Sequence, residues 1–191
     1  MSDATARPID ARPGISTRTV VTVMAGAALM TLAAKVQIPF WPVPMTLHTM
    51  AVMAFAVGFG PRIATSIFLT YLAAGAAGLP VFSGSPERGI GLAYMVGPTG
   101  GYLLGYLTAT WLVGTLVAGK GTVGRLGAML AGMLPIYGFG ASWLAVYVPA
   151  DQLLTVGVLP FLLGDLVKIG AVVAIGMVLP ASLVRLSGKG W

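Results

Sequence analysis

The chain has 191 residues, 57% of them hydrophobic and only 8% charged, against about 25% charged in an ordinary soluble domain. Its net charge of +6 comes from basic residues standing singly at the ends of apolar segments, where topology determinants lie, and not from the clustered patch of a nucleic-acid binder. With no cysteine and one histidine, His48, it lacks the ligand set of a zinc or iron–sulfur site, so no metal or other cofactor is expected.

The fold class that remains is an all-α polytopic membrane protein. Residues 1–17 are polar, carry Arg7, Pro8, Asp10, Arg12 and Pro13, and read as a flexible tail. The apolar run Thr19–Ala34 follows a leader too long for a signal peptide and precedes further apolar segments, so it is a first transmembrane helix, about Arg18–Val36. In Gln37-Ile-Pro-Phe-Trp-Pro-Val-Pro44 three prolines exclude regular helix. A second helix is expected at Met45–Phe59, closed by Gly58, Gly60 and Pro61, and a third at Arg62–Gly78. The loop Leu79–Val96 carries Glu87 and Arg88.

A fourth helix begins near Gly97-Pro98, with proline at a favoured first-turn position, and reaches Ala118. After the turn Gly119–Gly124 a fifth spans Arg125–Val148, with a kink expected at Pro135. The sixth runs from Pro160 to Arg185. A hydrocarbon core about 30 Å thick takes roughly 20 residues per helix, so 18–186 form one six-helix membrane domain and 187–191 a short C-terminal tail.

The charges orient this bundle. With the N-terminus in the cytoplasm, Arg7, Arg12, Arg18, Arg62, Lys120, Arg125, Arg185 and Lys189 lie inside, Lys35 and Arg88 outside, and Lys168 within the sixth helix. That is the positive-inside bias of a multi-pass plasma-membrane protein with both termini cytoplasmic. Among 27 glycines, Gly101, Gly105, Gly127, Gly132, Gly138 and Gly140 suit close helix packing.

Asp165 and Lys168, in Pro160-Phe-Leu-Leu-Gly-Asp-Leu-Val-Lys168, share a helix face at i and i+3. They lie roughly 7 and 12 Å along the sixth helix, where ionisable groups are costly and face a cavity or a partner. The outer start of that helix, the proline-rich stretch and the Arg88 loop converge at one external mouth. Thr46, Tyr94 and Tyr102 border it, Trp143 and Tyr147 stand near it at the end of the fifth helix, and Arg88 is placed to hold an anionic ligand. His48 is a weaker candidate. Trp41, Trp111, Trp143 and Trp191 also fit interface anchors. Gly114-Thr-Leu-Val-Ala-Gly119-Lys120 has phosphate-loop spacing, but Gly121 replaces the required hydroxyl and no strand precedes it, so the chain carries no ATPase motif.

At Pro42-Val-Pro-Met-Thr-Leu-His-Thr49, Gly78-Leu-Pro-Val-Phe82, Gly97-Pro-Thr-Gly-Gly-Tyr102 and Pro160–Lys168 the sequence resembles the BioY family, the biotin-binding S components of energy-coupling-factor (ECF) transporters. The resemblance implies a six-helix S-component fold, biotin capture from outside, and a place for Asp165 and Lys168 in the ligand site. It also implies a transmembrane coupling subunit and ATPase subunits as partners, besides membrane lipid. Arg88 would then meet the valerate end of biotin. Two departures stand out: His48 occupies a position where the family often has Gln, and the Ala-xxx-Ala docking pattern of helix 1 is matched only by Ala27 with Thr31 and Thr22 with Gly26. The rival readings are an S component or carrier for a different small vitamin, an intramembrane enzyme using Asp165, and an assembly subunit in which Asp165–Lys168 only pairs helices.

Overall fold

The computed structural model describes residues 16–39, 41–84 and 87–178. In hydrocarbon every backbone N–H and C=O must be bonded internally, and the apolar runs meet this demand as helices. These are α1 (Thr17–Lys35), α2 (His48–Ala76), α3 (Leu92–Met95), α4 (Gly100–Leu116), α5 (Thr122–Leu144), α6 (Leu153–Gly157) and α7 (Leu159–Val178). Among the described residues, four helical segments are long and apolar enough to cross a membrane: Thr17–Lys35, His48–Ala76, Thr122–Leu144 and Leu153–Met177.

The element α2 makes two passes. Gly60 has φ 72° and ψ 178°, a conformation open to glycine, and Pro61 follows with no N–H to continue the ladder. In one straight helix His48 and Tyr71 would lie about 35 Å apart, yet His48 Nε2 and the Tyr71 hydroxyl are 3.0 Å apart. The halves 48–59 and 61–76 therefore fold back on each other. With α1, α4, α5 and α7 they make six packed helices, as the sequence predicts. The expected sixth helix reaches Val178; its continuation to Arg185, both tails and Trp191 lie outside the described residues.

Several boundaries differ from expectation. The second helix starts at His48, not Met45, because Gln37–Ile38 and Met45–Thr46 pair antiparallel, Gln37 opposite Thr46 and Ile38 opposite Met45. The prolines between them supply the turn, with a cis bond at Trp41–Pro42. The loop after α2 contains the single turn α3, and α5 ends at Leu144. Tyr102 donates from α4 to the Gly157 carbonyl at the end of α6 at 2.6 Å.

Small residues set the helix spacing. A Cβ on Gly105 would lie 2.7 Å from Ile136 Cα, and one on Gly101 2.3 Å from the Phe139 carbonyl oxygen. Gly140 and Gly132 are equally close to the Tyr102 ring and to Val113. Gly127 and Gly138 meet nothing within 4 Å, so the packing role expected of them is corrected. A Cβ on Gly114, part of the phosphate-loop look-alike, would lie 2.6 Å from Pro61 Cα, which explains this glycine as a contact between α4 and α2. On α1, Gly26 faces Ile67 and Ala27 is buried, so this small-residue pattern serves the α1–α2 seam rather than an outward docking face.

Candidate functional site

One end of the bundle gathers the polar side chains. The short ladder delivers Thr46 and leads into His48. The single turn α3 delivers Tyr94, and the turn between α3 and α4 delivers Thr99. On α4, Tyr102 and Tyr106 are four residues apart and share a face; on α7, Phe161, Asp165 and Lys168 form one i, i+4, i+7 stripe. With Tyr137 of α5 these side chains line a cavity whose largely apolar wall and few convergent polar groups are the usual form of a small-molecule site.

Asp165 is 3% exposed, and both carboxylate oxygens are bonded. Lys168 Nζ donates to Oδ1 and the Tyr137 hydroxyl to Oδ2, each at 2.8 Å. The pair thus presents an acid and a base to the same cavity, with leucine and valine on the outer face of α7. His48 is buried, between Thr46 Oγ1 at 3.1 Å and the Tyr71 hydroxyl at 3.0 Å. The Tyr106 hydroxyl and Thr49 Oγ1 are 3.3 Å apart. Above them, burial pushes the Tyr94 phenol up from its usual pKa, against the opposing pull of Thr99, Arg88 and Ser83, so Tyr94 meets the cavity as a neutral hydroxyl. Its ring stacks on Phe82 with centroids 4.7 Å apart.

Of the sequence candidates, Asp165, Lys168, Thr46, Tyr94 and Tyr102 reach the cavity wall, as does His48. Arg88 instead lies in a second, outer chamber that shares Tyr94 and Thr99 with the inner one. There it donates to the Pro42 carbonyl at 2.9 Å, tying the Arg88 loop to the proline-rich turn. Trp143 and Tyr147 are not on either wall. Trp143 donates to the Gly97 carbonyl at 2.9 Å and Tyr147 to the Val96 carbonyl, fastening the turn that carries Thr99. Sequence reasoning passed over Tyr106, Tyr137, Ser83, Thr99 and Phe161. Tyr106 was signalled by its spacing from Tyr102, and Phe161 by its spacing from Asp165. Ser83 had no such signal.

The hydroxyl of Tyr137 fixes one oxygen of Asp165, so Tyr137→Phe is expected to weaken ligand binding about fivefold, the worth of one hydrogen bond near 1 kcal/mol. Equilibrium binding would measure this, and an unchanged affinity would remove Tyr137 from the site.

Six packed helices closing a polar-floored, aromatic-walled cavity at one end define a small-molecule-binding membrane protein of the S-component fold. The structure superposes on that of an S-component for biotin from an ECF-type ABC transporter with a TM-score of 0.73 and 26% identity, covering 91% of this chain and 92% of that one. The BioY family model matches residues 5–185, and the chain belongs to that family. A probable biotin transporter of Pyrococcus horikoshii is 36% identical over 148 residues, 78% of this chain and 87% of its own. The biotin transporter of Thermotoga maritima is 36% identical over 144 residues, covering 74% and 83%. That of Rhizobium etli is 34% identical over 174 residues, covering 84% and 90%.

Proposed function

We propose that this chain is the biotin-binding membrane subunit of a biotin uptake system and that the inner cavity holds the vitamin. The observation that carries the reading is the buried Asp165–Lys168 pair aimed into that cavity. The ureido ring of biotin offers two N–H donors and one carbonyl acceptor. Asp165 accepts from the N–H groups and Lys168 donates to the carbonyl, both charge-assisted. The aromatic walls of Tyr102, Tyr106 and Phe161 cover the thiophane ring and the start of the valerate chain. Thr46, Ser83, Tyr94 and Thr99 lead the carboxylate toward Arg88, while Trp143 and Tyr147 hold the turn above it. The protein binds and carries; it is not an enzyme.

The cavity faces outward in this reading. Arg18, Arg62, Lys120 and Arg125 stand at the opposite end of the helices, which the positive-inside rule places in the cytoplasm, along with both termini. Accumulation needs energy that this sequence has no ATPase motif to supply, so a coupling subunit and ATPase subunits of the ECF type are its partners. Labelled biotin is expected to bind stoichiometrically to the purified protein in detergent, and to right-side-out but not sealed inverted membrane vesicles. No binding by folded protein would sink the biotin assignment, and binding only to inverted vesicles would reverse the orientation.

A further inference from the structure

Behind the cavity wall three side chains in series fix the place of one proton. Tyr71 is fully buried, and its hydroxyl bonds to His48 Nε2 at 3.0 Å. The rings of Phe68 and Phe82 pack against it, with centroids 5.7 and 5.5 Å away, and offer no lone pair. A buried donor is rarely left unmatched, so Tyr71 donates and Nε2 accepts. A neutral imidazole has one N–H, and the bond made by one ring nitrogen decides what the other carries. The proton of His48 therefore sits on Nδ1. Protonation at Nε2, in the other tautomer or in the imidazolium, would strand the Tyr71 proton among apolar rings.

Nδ1 stands 3.1 Å from Thr46 Oγ1, which also accepts from the His48 backbone N–H at 3.2 Å. A hydroxyl has two acceptor lone pairs, and both are then filled. Thr46 cannot give its own proton to His48 either. Its side chain lines the cavity and makes no other hydrogen bond among the described residues, so its O–H is left for the ligand. Resting on the biotin reading, we propose that His48 is a positioning residue which, held in one tautomer by Tyr71, makes the Thr46 hydroxyl a dedicated donor to the ligand. Biotin carries acceptor oxygens at its ureido carbonyl and its carboxylate. A ligand N–H or O–H at this point of the wall would find no free lone pair. Tyr71 itself lies off the wall and acts on the ligand only through His48 and Thr46.

His48 is the only histidine of the chain, so its tautomer can be read directly. Long-range proton–nitrogen correlation spectra of histidine-labelled protein, purified without a histidine tag, are expected to show a neutral ring protonated at Nδ1. In Tyr71→Phe the proton should shift toward Nε2. Biotin affinity should fall about fivefold in Thr46→Val, the scale of one hydrogen bond, and fall in Tyr71→Phe by no more than that. Because Tyr71 acts through Thr46, Tyr71→Phe should cost nothing further in the Thr46→Val background. A merely structural role for Tyr71 would give additive losses instead. Such additivity, or a wild-type ring protonated at Nε2, would overturn the proposal while leaving the biotin reading intact. Failure of the folded wild type to bind biotin would sink the biotin reading and the ligand contact of Thr46 with it, whereas the tautomer is measured without ligand.

Discussion

Asp165→Asn is expected to weaken biotin binding at least about tenfold, a loss of about 1.5 kcal/mol or more, as for a hydrogen bond to a charged group. A carboxylate offers about four lone-pair sites, and Lys168 and Tyr137 occupy two, leaving capacity for the ureido N–H groups. An asparagine has one carbonyl oxygen, and its amide would set N–H donors against donors already in place. The same change strips Lys168 of its counter-ion inside the bundle, and breaking a buried pair is itself destabilising. A fall in affinity alone would therefore mix two causes.

The double variant Asp165→Asn/Lys168→Met separates them. Replacing a buried ion pair by uncharged groups is often neutral or stabilising, so the thermal stability lost in Asp165→Asn is expected to return. Binding is not expected to return with it, because the acceptor and the donor for the ureido ring are both gone. If biotin affinity recovers together with stability, the pair only joins helices and the ligand site lies elsewhere. The double-mutant cycle compares contacting residues, where non-additivity is the expected signal.

The six helices were legible because a spanning segment must satisfy its own backbone, which imposes long apolar runs; Pro135 is accommodated within α5, whereas Gly60-Pro61 and the proline-rich stretch 39–44 interrupt the runs. The reversal at Gly60-Pro61 was readable on the same ground. The ladder of Gln37–Ile38 with Met45–Thr46 was not, since two residue pairs carry no periodicity and the prolines announce only that helix is absent. The site was half legible. Asp165 and Lys168 declare themselves by the cost of burying charge, and spacing alone gathers Phe161 with them. The phase of α5 was the step that failed. Trp143 lies about 120° around the helix from Tyr137, and sequence reasoning followed the tryptophan, whereas α5 turns Tyr137 toward α7. Helical periodicity fixes which residues share a face, but which neighbour that face meets is decided by tertiary packing. Arg88 shows the same limit: its loop was placed at the right end, yet its bond to Pro42 sets it one chamber outward.

Gly105→Leu should lower the melting temperature in detergent and weaken biotin binding, while Gly127→Leu changes neither. The α4–α5 pairing is the most extensive between helices, and at its centre Gly105 lets the two backbones touch. A Cβ there would stand 2.7 Å from both Ile136 Cα and the Pro135 carbonyl oxygen. No rotamer change can clear backbone atoms, so the helices must separate; overpacking of this kind costs about 1–3 kcal/mol or more. The consequence reaches the ligand because the same seam carries the cavity walls. Tyr102 and Tyr106 flank Gly105 on α4, and Tyr137 directly follows Ile136 on α5. Moving α5 away draws the Tyr137 hydroxyl off Asp165 and widens the aromatic slot. Gly127, on the same helix as Ile136 but with nothing within 4 Å, controls for adding leucine to α5. Equal effects from the two substitutions would show that the glycine seam does not set the spacing of the cavity walls.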